Sequence, residues 1–222
     1  YHQLDNLIDN SGHYVENHEN NLKRLHALLL EAKDDKTRYD TSFNLYLGYK
    51  SFTNDSAIAY LQQCIRLADK MHRKDLAGKC KSLIAFQCSS SGLYTEALQI
   101  LKQISTRDLT PANGLSDYYI AYNHVYQELG YYTKLDDQRH QYEMISEAYR
   151  DSAYQVMNRE SEDYLLCEEL NLSLRGLYLE AMKVNDRRLA RVHPGSRTYA
   201  IVAYYRSRLY GKLGDMQMVK YW

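Results

Sequence analysis

Apolar residues recur every three or four positions along most of the chain, which is the spacing that places them on one face of an α-helix. In the first segment, Leu4, Ile8, Leu22 and Leu25 follow a stripe of the kind seen in coiled coils. This pattern predicts one long helix, or two stacked helices, over 3–33.

Similar patterns over the rest of the chain, separated by turn and cap residues, predict pairs of helices. Pro occurs 2 times and Gly 10 times among 222 residues, and so few breakers favour long helices over a sandwich or barrel with many tight turns. The predicted pairs are 36–50 with 54–71, 74–91 with 94–105, 113–129 with 132–156 and 160–175 with 177–191, followed by a helix over 196–213 and the start of its partner.

A short motif recurs between the helices of several predicted pairs. Residues 92–98 and 176–182 both read Gly-Leu-Tyr-x-Glu-Ala followed by Leu or Met, and looser copies start at Gly130 and Gly214. In this motif a glycine ends the first helix and lets the chain reverse. The tyrosine two residues later packs over the turn, and the alanine three residues after it lets the two helices approach closely.

The Gly-x-Tyr-x-Glu-Ala pattern resembles the turn of a tetratricopeptide repeat (TPR), and the resemblance covers most of residues 36–222. The period exceeds the usual length of about 34 residues and the Trp-x-x-Leu-Gly start is absent, so HEAT-like or other α-solenoid pairs stay open as alternatives. The resemblance implies an all-α fold, a right-handed α-solenoid of TPR-like helix pairs. We expect a single domain over 1–222, with an N-terminal helical cap over 1–34 and about five pairs over 35–222, the last incomplete.

A second resemblance is carried by residues 45–57 and by the opening Leu4-Asp5-x-x-Ile8. Both are similar to the N-terminal half of bacteroidete-type, repeat-bearing transcriptional regulators. That resemblance implies a signal peptide, a secreted helical-repeat sensor region, a membrane helix and a cytoplasmic regulatory half. We therefore expect a periplasmic or extracytoplasmic location, with a cytoplasmic one as the alternative. We also expect membrane attachment only through segments outside this chain, and a protein that continues beyond Trp222.

No catalytic motif is present, which predicts that the chain is not an enzyme and needs no cofactor. The four cysteines form no Cys-x-x-Cys pair and no two histidines are four apart, so no metal site is expected. The acidic residues at 160–163 predict a first helical turn favoured by the helix dipole rather than a calcium site. The longest uncharged stretch, 82–95, is shorter than the roughly 20 residues of a spanning helix.

The charges sum to zero, with 28 basic and 28 acidic residues, which argues against direct nucleic-acid binding. Their distribution is uneven, because residues 1–20 contain acids and no Lys or Arg, whereas residues 183–212 carry eight basic side chains against Asp186 alone. The basic stretch predicts a solvated helix face. Binding of an acidic partner, or packing on a missing C-terminal part, is the alternative.

Tyrosine is unusually frequent, at 23 residues, and most of these rings are expected to pack between helices. The TPR resemblance implies that the first helix of each pair lines a concave groove. Counting back from each turn places nine candidate ligand-binding residues on that groove: Tyr39, Tyr46, Tyr49, Lys50, Asp117, His124, Gln127, Tyr204 and Arg208.

A groove of aromatic and charged side chains suits a peptide or a protein segment. The expected function is therefore a non-enzymatic binding scaffold, the extracytoplasmic sensor region of a larger membrane-anchored bacterial regulator. One alternative is a structural module in which the helix over 3–33 mediates formation of a homodimer. A glycan-binding or glycan-processing helical domain is the third possibility.

Overall fold

The described part of the chain is entirely helical apart from its turns. A computed structural model describes residue 9 and residues 11–222, so most of the predicted helical start, with Leu4 and Ile8, lies outside the described residues. Across the described residues there are eleven α-helices, one short 3-10 helix and no β-strand. The predicted all-α fold of helix pairs is confirmed.

The helix bounds follow the predicted pattern closely. The helices are α1 Ser11–Glu31, α2 Asp35–Tyr49, α3 Asn54–Lys70, α4 Lys74–Ser90, α5 Tyr94–Lys102, α6 Leu115–Tyr132, α7 Asp136–Val156, α8 Glu162–Leu174, α9 Tyr178–Leu189, α10 Arg197–Leu213 and α11 Met216–Tyr221, with the 3-10 helix at Thr106–Asp108.

None of the helices, within the described residues, has both the length and the apolar composition needed to cross a bilayer.

The first of two compact units ends at Val156 and contains α1 to α7. Helices joined by a short turn pack against each other in this unit, as α2 with α3, α4 with α5 and α6 with α7. Helix α4 also packs against α3 and α6, which links successive pairs. The core between them is fully buried at Leu61, Leu101 and Val125.

The second unit comprises Met157–Trp222 and contains α8 to α11. Helix α9 packs against both α8 and α10, and α11 covers one side of α10. Leu165, Ala181 and Val202 form a small, fully buried core. The organisation of residues 1–222 as a single domain stays a prediction.

The repeated motif acts as the sequence predicts at two of its copies. Gly92 and Gly176 have φ angles of 81° and 75°, in the left-handed region that glycine enters without steric cost. The alanines that follow, Ala97 and Ala181, are fully buried between paired helices. The predicted turn and the close helix approach are therefore confirmed at these copies.

The copy at Gly130 departs from the prediction that helix 113–129 ends there. Helix α6 runs through Gly130 to Tyr132, and Gly130 is not among the glycines with positive φ. A Cβ at this position would lie 3.6 Å from the Cβ of Tyr142 on α7. Gly130 therefore serves close packing of α6 against α7, and the chain reverses after Thr133.

Helices α2, α8 and α10 are among those that begin at a polar side-chain cap. Asp34 accepts a hydrogen bond from Thr37 N at 2.8 Å at the start of α2. Ser161 and Ser196 do the same before α8 and α10, accepting from the backbone N–H three residues on at 3.2 and 3.1 Å. Such caps satisfy amide groups that a helix start leaves unpaired.

The four cysteines are free thiols. Cys64, Cys80 and Cys88 are buried in the first unit, and Cys167 is half-buried in the second. The first three therefore serve as small apolar core residues.

Candidate functional site

Three helices that open pairs, α2, α4 and α6, are held side by side in the first unit. The Tyr39 hydroxyl of α2 lies 3.4 Å from Cys80 Sγ of α4, in the buried space between the two helices. Helix α4 in turn packs directly on α6. These contacts fix three neighbouring helices whose outer sides form one surface.

Side chains on that outer side touch across the helix boundaries. The Lys79 ammonium lies 5.2 Å from the centroid of the Phe43 ring, which joins α4 to α2. The ring centroids of Phe86 and His124 are 4.2 Å apart, which joins α4 to α6. All of these side chains are half-buried. We define the first-helix surface as Phe43, Lys79, Leu83, Phe86 and His124.

His124 is the ionisable imidazole at one end of the first-helix surface. Its Nδ1 lies 2.7 Å from Ser89 Oγ, and its ring packs on Phe86. Burial lowers the pKa of the His124 imidazole, and the negative charge of Glu128 opposes that change. The ring is therefore mostly uncharged at neutral pH and offers a polar edge on an aromatic surface.

The first unit is expected to lose stability as the pH falls below about 6.5, the ordinary pKa of histidine. Because the folded-state pKa of His124 is lowered, the unfolded chain binds this proton more readily. The stability that the uncharged His124 ring contributes is complete above the unfolded-state pKa, and it is lost as the pH falls through the lower folded-state pKa. Urea unfolding at about pH 7.5 and about pH 5.5 measures it. A His124→Gln variant that keeps the full wild-type difference between the two would contradict this assignment.

The four candidate residues predicted on α2 and directly after it differ in burial. Tyr39 and Tyr46 are 6% and 3% exposed, so both rings are core residues that offer little area to a ligand. Tyr49 is half-buried, with its hydroxyl 3.1 Å from His26 Nε2 of α1. Lys50 is exposed directly after the helix. Burial therefore removes two of the four from the outer side of α2.

The candidates on α6 and α10 are more accessible. Asp117 is half-buried and Gln127 is exposed, and both share one face of α6 with His124 at spacings of seven and three residues. In the second unit, Tyr204 and Arg208 are exposed on α10, and the Arg208 guanidinium lies 5.8 Å from the Tyr204 ring centroid. The binding roles of all nine candidates stay predictions.

The residues that sequence reasoning missed are the apolar members of the first-helix surface. Phe43 lies four positions after Tyr39 and three before Tyr46, so it shares one helical stripe with both, but it is half-buried where they are buried. On α4, Leu83 and Phe86 follow Lys79 at the i+4 and i+7 positions of one helical stripe. Helical spacing is therefore a usable signal for these three apolar residues.

Tyrosines between α6 and α7 form a stacked cluster within the first unit. The Tyr122 and Tyr149 rings are nearly parallel, with centroids 4.4 Å apart and an interplanar angle of 8°. Tyr126 stacks on both at 6.3 and 6.2 Å. Burial raises the pKa of the Tyr122 hydroxyl. These rings pack between helices, as expected for most tyrosines of the chain.

A buried ion pair lies between α8 and α9 in the second unit. Arg188 Nη1 lies 2.5 Å from Glu169 Oε2, and the two side chains are 1% and 2% exposed. Asn185 Nδ2 donates to the other Glu169 oxygen at 3.1 Å, and Arg188 Nη2 donates to Glu162 at 2.6 Å. Burial raises the pKa of Glu169, and the ion pair with Arg188 opposes this. A guanidinium is always charged, so Glu169 stands as a carboxylate and the pair is structural.

The acidic start of α8 is paired with part of the basic stretch of the second unit. Glu160 bonds to Arg187 at 3.1 Å and forms a closer ion pair with Arg191. In the part of the chain that the structure describes, no group of three or more His, Cys, Asp or Glu side chains is placed to hold a metal ion. Arg187 and Arg191 of the basic stretch are therefore paired with an acidic side chain within the second unit.

Comparison with known families agrees with this architecture. The family model of the SusR N-terminal TPR domain matches residues 8–222, nearly the whole chain. No curated protein matches it. The resemblance to tetratricopeptide repeats is thereby confirmed, and the helix pairs described above are its repeats. The chain belongs to the SusR N-terminal TPR domain family.

Proposed function

We propose that this domain is a non-enzymatic scaffold that binds an extended peptide or protein segment across the first-helix surface. TPR domains are generally protein-interaction scaffolds, and stacked helical repeats present extended binding surfaces. The observation that carries the proposal is a pair of contacts, Lys79 with Phe43 and Phe86 with His124, which join α4 to α2 and to α6 through half-buried side chains.

The residue types of this surface suit a protein partner. Phe43 and Phe86 are rigid rings that lose little conformational freedom on binding, and aromatic residues are enriched where binding energy is concentrated. Lys79 already lies over the Phe43 ring, so its charged end is partly ordered before a partner arrives. Leu83 supplies apolar area between the two rings.

Polar side chains at one edge of the first-helix surface make its two ends chemically different. His124, Asp117 and Gln127 lie on one face of α6, beyond the aromatic part of the surface. Side chains of this kind can hydrogen-bond the backbone of an extended segment, and they resemble the polar rim that surrounds an apolar interface centre. We therefore place the apolar anchors of the partner over α2 and α4 and its polar contacts over α6.

The spacing of the helices sets the length of the partner segment. Packed helices lie about 10 Å apart, so three neighbouring helices cover about 20 Å. An extended chain advances about 3.3 Å per residue, so the surface holds about six residues. A segment of that length with two apolar residues and an acidic residue near Lys79 would match the surface.

We further propose that the domain works as the sensing region of a larger regulator. This extension is supported by the resemblance of residues 45–57 to repeat-bearing transcriptional regulators. It includes an extracytoplasmic location and a membrane anchor supplied by other segments. Binding would then act by changing the packing of neighbouring repeats or the association of two copies.

Selection of random linear peptides on the purified domain tests the binding proposal. Enriched peptides are expected to bind about tenfold more weakly to a Lys79→Glu variant, because the charge reversal repels an acidic residue at the centre of the surface. Lys102→Glu is the matched control, since Lys102 is exposed at the end of α5, the second helix of its pair. It should change affinity less than about twofold.

Two results would contradict the proposal. The first is a failure to enrich any peptide that binds more tightly than the unselected pool. The second is equal weakening by Lys79→Glu and Lys102→Glu. Light scattering of the same samples distinguishes the alternative, because a stable dimer with no peptide binding would favour an assembly module.

A further inference from the structure

The exposed face of α10 in the second unit carries an unusual charge distribution. The helix spans 17 residues, Arg197–Leu213, and contains no Asp or Glu. Three of its basic residues, Arg197, Arg208 and Lys212, are exposed and recur with Tyr204 at helical spacings of seven, four and four residues. Those spacings place all four side chains on one face. We call these four residues the α10 basic face.

The charges of this face are unpaired, unlike most of those around it. Arg187, Arg188, Arg191 and Arg206 each form an ion pair within the second unit. Among the described residues, the three cations of the α10 basic face form no such pair. Neutralisation inside the unit therefore leaves a residual positive stripe on a single helix.

One of these cations is already ordered by an aromatic neighbour. The Arg208 guanidinium lies 5.8 Å from the Tyr204 ring centroid, and Tyr204 is 56% exposed. Stacking on the ring restricts the long side chain while leaving its N–H groups free to bind a carboxylate in bidentate fashion. The open part of the ring offers apolar area beside the charge.

We propose that the α10 basic face binds an acidic segment of a partner protein, through carboxylates on Arg197, Arg208 and Lys212 and an apolar side chain on Tyr204. Charge complementarity supports this occupant. A peptide fits better than a nucleic acid, because three cations on one helix neutralise few phosphates and the whole chain has no net positive charge.

The helix geometry sets the spacing of the acids. At about 1.5 Å per residue, Arg197 and Arg208 lie about 16 Å apart along the axis, and Arg208 and Lys212 about 6 Å apart. An extended peptide covers these distances with about five and about two residues. Tyr204 lies about 10 Å from Arg197 along the axis, so the matching segment has acids at its first, sixth and eighth positions and an apolar residue near the fourth.

A labelled ten-residue peptide with glutamates at those three positions and leucine at the fourth is the probe. Its control has the same composition with the three glutamates adjacent. Fluorescence anisotropy at about 50 mM salt should show tighter binding of the spaced peptide to the wild-type domain. Arg208→Glu should weaken that binding at least about tenfold, and Tyr204→Ala about threefold.

Arg175→Glu is the matched control, because Arg175 is an exposed arginine at the end of α8, off the α10 basic face. It should weaken binding less than about twofold. Equal binding of the two peptides, or equal loss in Arg175→Glu and Arg208→Glu, would overturn the proposal. So would tighter binding of a short DNA duplex, or a homodimer that Arg208→Glu dissociates, since these identify a different occupant. The first-helix surface shares no residue with this face, so each proposal can fail alone.

Discussion

An Arg188→Met variant is expected to lose about 3–5 kcal/mol of unfolding free energy in the second unit. Methionine fills much of the space but removes the charge that compensates Glu169, whose side chain is 2% exposed. An ionised carboxylate left unpaired in the interior is costly, so Glu169 must either take up a proton or open the packing between α8 and α9.

Urea unfolding followed by circular dichroism measures this loss. Arg191→Met is the matched control, because Arg191 pairs with Glu160 at the surface and its side chain is 41% exposed. That change should cost less than about 1 kcal/mol. A double variant, Arg188→Met with Glu169→Leu, should recover most of the stability, since neither buried charge remains. If Arg188→Met and Arg191→Met lower the unfolding free energy equally, burial of the Arg188–Glu169 pair does not increase its contribution to stability.

A Tyr122→Ala variant is expected to destabilise the first unit by about 3–5 kcal/mol. Tyr122 is 7% exposed and its ring stacks on Tyr149 at 4.4 Å, so truncation leaves a cavity between α6 and α7 and removes the ring contacts. The neighbouring Tyr126 ring loses one of its two stacking partners as well.

Tyr131 is the control of the same residue type on the same helix. It is 78% exposed, so Tyr131→Ala should change the unfolding free energy by less than about 0.5 kcal/mol. Thermal unfolding of both variants provides an independent reading. If Tyr131→Ala destabilises as much as Tyr122→Ala, the stacked cluster is not what holds this helix pair together.

The helices and their turns could be predicted because local signals define them. The Gly-x-Tyr-x-Glu-Ala motif places a left-handed glycine at Gly92 and Gly176 and a buried alanine five residues later, and the structure has both. Gly130 misled the same reasoning, because a glycine can also serve close packing inside a helix. Only the position of Tyr142 on α7 distinguishes the two uses.

The candidate surface could be predicted only in part, because tertiary packing decides which side chains of a helical stripe are covered. Tyr39 and Tyr46, which the sequence placed on the groove, share a helical stripe with Phe43, but their rings are buried whereas Phe43 is half-buried. Three residues of α6, Asp117, His124 and Gln127, were placed on one accessible face. Counting back from a turn therefore finds the stripe of a helix, but not which of its side chains the neighbouring elements cover.

Pairings between distant residues were beyond local reasoning. Arg188 and Glu169 are 19 residues apart on different helices, and no periodicity joins them. The sequence predicts a solvated helix face for the basic stretch at 183–212, but Arg187 and Arg191 form ion pairs with Glu160. The cations of the α10 basic face can be recognised as unpaired only once those ion pairs are known.

The central claim is that a partner segment lies across α2, α4 and α6, and photo-crosslinking tests it most directly. A selected peptide carrying a photoreactive phenylalanine would be bound to the wild-type domain, irradiated, digested and mapped by mass spectrometry. The account predicts labels on the first-helix surface, at or beside Phe43, Leu83 and Phe86. Labels concentrated on α3, α5 and α7, the second helices of the pairs, would contradict it.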